Sequence, residues 1–195
     1  FTIRDIVERF DPMAVRYFLL TQHYRGPLTF SEDDLAAAES TWKQRILGAF
    51  GRLWEARRRI KESKKDSESV KKRKDEFLAR FHAALDQDLN TPAALGVLNQ
   101  MCGWIFQRLD QDSHIMTLGE VDRLEAGLRD MTDVLGLVIP GEQSWDPELL
   151  ALTEERQKAR GVKDWKRADE IRDVLKKKGV VVEDTPLGPR LKRAT

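Results

Sequence analysis

The 195-residue chain is 41% hydrophobic and 34% charged with a net charge of +1, which excludes an intrinsically disordered chain and allows one elongated domain or two small ones. No apolar run approaches the ~20 residues of a membrane span, and Asp5, Glu8 and Asp11 sit where a secretory signal would be apolar. The single cysteine, Cys102, cannot close an internal disulfide, which fits a reducing compartment such as the cytoplasm, and its apolar helical setting reads as a buried structural thiol.

In chain order, Thr2 is placed to cap a turn from Ile3 to about Phe10. Asp11-Pro12 reads as a helix cap followed by proline at the first helical position, opening a buried helix over Met13–Leu20 that Gly26-Pro27 closes off as a loop. Ser31 starts the next helix with Glu32, Asp33 and Asp34 in its first turn, where carboxylates meet the positive helix end. Leu35, Ala38, Trp42, Ile46, Ala49, Leu53 and Ile60 recur at mostly three-to-four spacing, predicting one long helix with one buried stripe. Residues 57–74 hold ten positive and three negative side chains interrupted by Ser63, Ser67 and Ser69. This stretch reads as an exposed connection, more a solvated linker than a dedicated nucleic-acid patch.

A helix resuming near Lys71 is expected to bury Phe77, Leu78, Phe81 and Leu85. Asn90-Thr91-Pro92 signals a restart, with Thr91 as cap and Pro92 at the first helical position. Leu95, Leu98, Cys102, Ile105 and Leu109 form one further stripe, and Leu118, Val121, Leu124, Leu128, Met131 and Leu135 form another that Gly136 stops. Residues 140–147 have linker composition. Beyond them come a helix from about Glu148 to Arg160, a second from about Trp165 to Lys178, strand chemistry at Val180–Glu183, turn chemistry at Asp184–Gly188 and a returning strand at Arg190–Arg193. The expected fold is mainly α: an antiparallel helical bundle followed by a small helical hairpin with a β-ribbon.

The small net charge hides an asymmetry. Residues 1–74 hold 17 Lys/Arg against 11 Asp/Glu, residues 75–150 hold 4 against 14, and residues 151–195 hold 13 against 8. A basic–acidic–basic layout suggests a polyanion touched at two ends. Catalytic chemistry is not legible. His23, His82 and His114 lack zinc-ligand spacing, one cysteine cannot supply a thiolate cage, and there is no P-loop, dinucleotide fingerprint or nucleophile elbow. Asp86 and Asp88 flank Gln87 but belong better to the turn ahead of Asn90. No catalytic residue and no metal ligand is therefore assigned.

Three segments resemble cysteinyl-tRNA synthetases of class I. The first runs through Phe1-Thr2-Ile3-Arg4-Asp5, Asp11–Leu20 and His23–Ser31, and its Asp11…Ala14-Val15-Arg16 stretch is similar to the sequence that names their helical anticodon-binding domain, with Val15 where leucine is usual. The second is Ala159–Leu175 continuing through Gly179 and Val182–Gly188, and the third is Leu89-Asn90-Thr91-Pro92. The resemblance implies junction helices over residues 1–30 that follow a catalytic domain, a helical-bundle anticodon-binding domain over 31–139, a linker over 140–147 and an anticodon-recognition unit over 148–195. It further implies tRNA(Cys) and the chain's own catalytic domain as partners, with ATP and zinc held by that catalytic domain and not by this segment. His23-Tyr24-Arg25 reads either as a capped turn with Tyr24 half buried or, by resemblance, as a junction with the catalytic domain or the tRNA.

Trp165, Asp169 and Arg172 are spaced four and three, so they share one helix face. In its polar surroundings Trp165 suits stacking on an unpaired base, although from the residues alone a helix-start staple against Leu149, Leu150 or the ribbon is slightly favoured. Asp169 and Arg172 can pair with each other or read bases, and only guanine offers a carboxylate two adjacent donors. The resemblance implies Arg160, Trp165, Asp169, Arg172 and Asp184 as contacts to a GCA anticodon. Lys163, Arg190, Lys192 and Arg193 are assigned to the tRNA backbone. Pro189 removes a ribbon N–H, and Leu191 replaces a common aromatic. Two other readings compete: a ligase joining cysteine to an amino-sugar, and a helical interaction module with no catalytic half.

Overall fold

The computed structural model describes residues 2–60, 68–110, 116–141, 146–185 and 188–193. They fall into two compact units, Phe1–Gly141 and Glu142–Thr195. Ser63, Ser67, His114 and the turn residues Pro186 and Leu187 lie outside the described residues.

The first unit is helical. Helix α1 (Ile3–Val7) opens on Thr2, which with Asp5 forms a reciprocal capping box. It ends short of Phe10, and because none of its residues is buried, packing adds nothing to extend it. Helix α2 (Pro12–Leu20) starts at the expected Asp11 cap with Pro12 behind it, and buries Ala14, Val15, Tyr17 and Phe18. Ser31 caps α3 (Glu32–Thr41). The expected single long helix is interrupted: a π-helical segment, Trp42–Leu47, joins α3 to α4 (Gly48–Arg59). A π turn holds one extra residue and so rotates the face that follows. Beyond it Ala49, Phe50, Leu53 and Trp54 are all buried, which a strict stripe through Ala49 and Leu53 does not anticipate, and Ile60 lies past the helix end.

Helix α5 (Glu68–Asp86) begins earlier than Lys71, so Ser69 is helical. Its charged first turns conceal Val70, a core residue in phase with Phe77, Phe81 and Ala84; Leu78 and Leu85 are only half-buried. At the start of α6 (Thr91–Asp110) the cap is Asn90 and not Thr91, because the Asn90 side-chain oxygen accepts from the Ala93 N–H at 3.1 Å. Thr117 and Glu120 box the start of α7 (Leu118–Val134). Its end is a Schellman motif: Gly136 takes φ +65°, its N–H reaches the Asp133 carbonyl at 3.0 Å, and Leu137 N–H reaches the Thr132 carbonyl at 2.8 Å. Helix α5 packs along α6 and α7, and α4 against the same pair. Leu98, Met101, Cys102, Ile105, Leu124, Leu128 and Met131 fill the core between them. Burial pushes the Cys102 thiol up to about 12, so it stays protonated, as a structural thiol should.

The second unit is a helical hairpin, α8 (Pro147–Gly161) and α9 (Trp165–Lys177), with the antiparallel ribbon β1 (Val180–Thr185) and β2 (Gly188–Arg193). The apolar side of α9 supplies Ala168, Ile171 and Leu175. Ile171 and Leu175 cluster with Val182, and Leu149, Leu152 and Leu191 pack around them. Leu191 thus serves the core of this unit. Gly179, at φ +74°, makes the turn from α9 into the ribbon.

Candidate nucleic-acid interface

The corner between α8 and α9 sets the direction of α9. Lys163 stands at φ +62°, where glycine is usual, and its N–H reaches the Arg160 carbonyl at 3.1 Å. Asp164 N–H returns to the Ala159 carbonyl at 2.9 Å, and the Asp164 side chain caps α9 through the Arg167 N–H at 3.0 Å. Arg167 also crosses to Glu155 at 2.6 Å, and Lys178 to Glu148 at 2.7 Å, tying the two helices at both ends. Trp165 is the first residue of α9 and its side is open: it is 57% exposed. Leu149 packs on the Ile171–Leu175–Val182 cluster, and the exposure of Trp165 weighs against a buried staple role for its ring.

Beside the indole lies a charged knot. The Arg160 guanidinium carbon stands 6.0 Å from the Trp165 ring centroid, and Arg160 also hydrogen-bonds Asp184 of β1. Asp184 receives a second guanidinium, from Arg156, as a two-pronged pair at 2.8 and 2.9 Å. The hydrogen bonds from Arg156, joined by those from Arg160, pull the Asp184 carboxyl down to about 2. The Arg156 guanidinium is itself shifted up, first by its hydrogen bonds to Asp184 and then by the charges of Asp184 and Asp169. Its side chain is only 6% exposed. Arg156 escaped the sequence reading; the one available signal is that it precedes Arg160 by four residues and so shares its helix face.

Asp169 and Arg172 are both exposed. With Asp173, Lys176 and Val180–Val182 they line a groove of about 610 Å³ between α9 and β1. The carboxylate of Asp169 is exposed on this groove, whereas that of Asp184 is bound by two arginines. The structure brings Arg160, Trp165 and Asp184 into one contact set and puts Asp169 and Arg172 on the adjoining groove. Lys163 is exposed at the helix corner. Arg190, Lys192 and Arg193 are placed as β2 backbone opposite Glu183, Val181 and Val180, and their side chains lie outside the described residues. Pro189 sits opposite Asp184 in a two-stranded ribbon, where each strand has an open edge.

In the first unit the His23-Tyr24-Arg25 turn is fastened to the α5–α6 turn. Tyr24 donates to Asp88 at 2.7 Å, Arg25 reaches the same carboxylate at 3.0 Å, and His23 stacks on Tyr24 at 4.9 Å between centroids. Tyr24 is 60% exposed, not half buried, and Asp88 does belong to the turn. Among the described residues no three of His, Cys, Asp and Glu are grouped to hold a metal ion, and no helix is long and apolar enough to cross a membrane.

Comparison with known proteins adds to this geometry. Residues 143–188 match the cysteinyl-tRNA ligase anticodon binding domain, residues 80–139 the DALR domain, and residues 1–40 the class I (C) tRNA synthetase catalytic domain. A cysteine–tRNA ligase of Shewanella sediminis is 38% identical over 197 residues, and those of Pectobacterium carotovorum and Histophilus somni are 35% and 36% identical. Each alignment covers 96% of this chain and 39% of the relative, so the chain spans about two fifths of the length of the curated relatives it matches.

Proposed function

We propose that the chain is the C-terminal anticodon-binding region of a cysteinyl-tRNA ligase, and that it binds tRNA(Cys) and reads its GCA anticodon. The observation that carries this reading is the open indole of Trp165, one helical turn from the exposed carboxylate of Asp169. An unstacked base laid on that indole leaves its edge facing α9. Asp169 then accepts from the N1–H and N2–H of a guanine, a donor pair that no other standard base presents. Arg160, held across the indole by Asp184, and Arg172 donate to acceptor edges or phosphates. Lys163, Arg190, Lys192 and Arg193 neutralise the backbone and orient the loop without reading sequence.

The whole ligase joins cysteine to this tRNA with ATP, in the cytoplasm, and the present chain positions the tRNA against the catalytic domain. The described residues offer no group that fits zinc, so no step is assigned to a metal here. The amino-sugar ligase is disfavoured because residues 143–188 match an anticodon-binding domain. A free-standing helical module is disfavoured because residues 1–40 match a catalytic domain.

The test is a titration of this chain with two anticodon stem-loops, one carrying GCA and one with its first guanine replaced by adenine, at fixed salt. The GCA loop should bind tighter by about 1–3 kcal/mol. Equal affinities remove the claim of base reading.

A further inference from the structure

Arg156 carries more structure than a solvent-facing helix residue requires. Its side chain is 6% exposed, its two terminal nitrogens are both spent on the carboxylate of Asp184, and its Nε is buried with no partner. Burying a guanidinium is costly unless it is paired in good geometry. The single pairing it has is directed at the one carboxylate that also holds Arg160. Arg160 in turn sits over the ring of Trp165. The chain of contacts therefore runs from Arg156 on α8, through Asp184 of β1, back to Arg160 one turn further along the same face of α8, and on to the first residue of α9.

We propose that Arg156 is a positioning residue for anticodon reading: without touching RNA, it fixes Asp184 so that Asp184 holds Arg160 across the indole of Trp165. This rests on the anticodon-binding role proposed above for the same site. The physical reason lies in the difference between one partner and two. A carboxylate on a ribbon end, held only by Arg160, can turn about its side-chain bonds and take Arg160 with it. The two-pronged fork of Arg156 fixes both oxygens in one plane and leaves Arg160 one direction of approach. Lysine at this position keeps the charge and loses the fork, which makes Arg156→Lys the informative variant.

The experiment compares wild type, Arg156→Lys, Asp184→Asn and the double variant in the full 195-residue chain. Each is titrated with the GCA stem-loop and with the loop whose first guanine is adenine, and each is melted to verify that both units fold. Arg156→Lys should lower the discrimination ratio by about tenfold in a folded protein. The double variant should lose no more than Asp184→Asn alone, since the two residues act in series. An unchanged ratio in folded Arg156→Lys, or losses that add, overturns the proposal. If Arg156→Lys does not fold, Arg156→Gln replaces it under the same criteria. The side-chain nitrogen signal of Arg160, recorded by NMR without RNA, separates this proposal from the reading beneath it. A signal restrained in wild type and freely rotating in the variant supports positioning, and the same signal in both proteins overturns it. If wild type itself binds both loops equally, the anticodon reading fails and positioning is decided by the Arg160 signal alone.

Discussion

An indole at a helix start can pack or stack, and at Trp165 solvent exposure separates the two. Trp165→Ala should leave the thermal midpoint of the C-terminal unit unchanged, because the ring contributes little buried surface, while weakening binding of the GCA loop by about 1–3 kcal/mol. Loss of stability with binding intact would return the ring to a packing role. Lys163 is the opposite case, a side chain whose backbone is strained. At φ +62° a lysine forfeits roughly 1–2 kcal/mol, of which glycine recovers part after its own entropy cost. Lys163→Gly should therefore raise the midpoint slightly and flatten the salt dependence of RNA binding by about one phosphate contact. Asp184 titrates in the acid range. Its folded carboxyl lies at about 2 against an ordinary 3.8, so its contribution to stability is complete above 3.8 and is lost as pH falls from there to about 2. Acid melting of the C-terminal unit should show that decline, and Asp184→Asn should remove it.

At the scale of elements, helix starts were largely legible because capping chemistry is local: Thr2, Asp11 and Ser31 cap where their side chains imply. The failures have local causes too. Asn90 outcompetes Thr91 for the cap of α6, and Val70 is a single apolar residue among lysines that only the phase of α5 reveals. The π segment at Trp42–Leu47 leaves no mark in composition, since one extra residue per turn changes which faces are buried and not which residues are present. Gly136 was legible as a stop, but not its neighbour: the Arg16 Nε donates to the Leu135 carbonyl at 2.8 Å, and a Cβ on Gly136 would lie 2.4 Å from the Arg16 guanidinium. Gly136→Ala should cost the first unit roughly 1–2 kcal/mol from the left-handed backbone, and more if Arg16 is displaced, as read from a urea melt.

Across the molecule, the two units differ in what sequence could disclose. The bundle is written in apolar stripes and was read from them. The spacing of Trp165, Asp169 and Arg172 placed them on one face of α9, but from the residues alone it did not tell an open indole from a packed one. The knot behind that face was not legible, because Arg156 and Asp184 are 28 residues apart and meet only when β1 folds back on the hairpin. On the proposed reading, the acidic middle of the chain and its basic ends should make RNA binding salt-sensitive without making it specific. The proposed reading assigns specificity to the α9 face. The most direct test is to follow the indole N–H signals of the 15N-labelled chain while the GCA stem-loop is added. The account predicts that the Trp165 signal moves with the first additions and those of the bundle tryptophans Trp42, Trp54 and Trp104 do not. A Trp165 signal that stays fixed at saturation would contradict it.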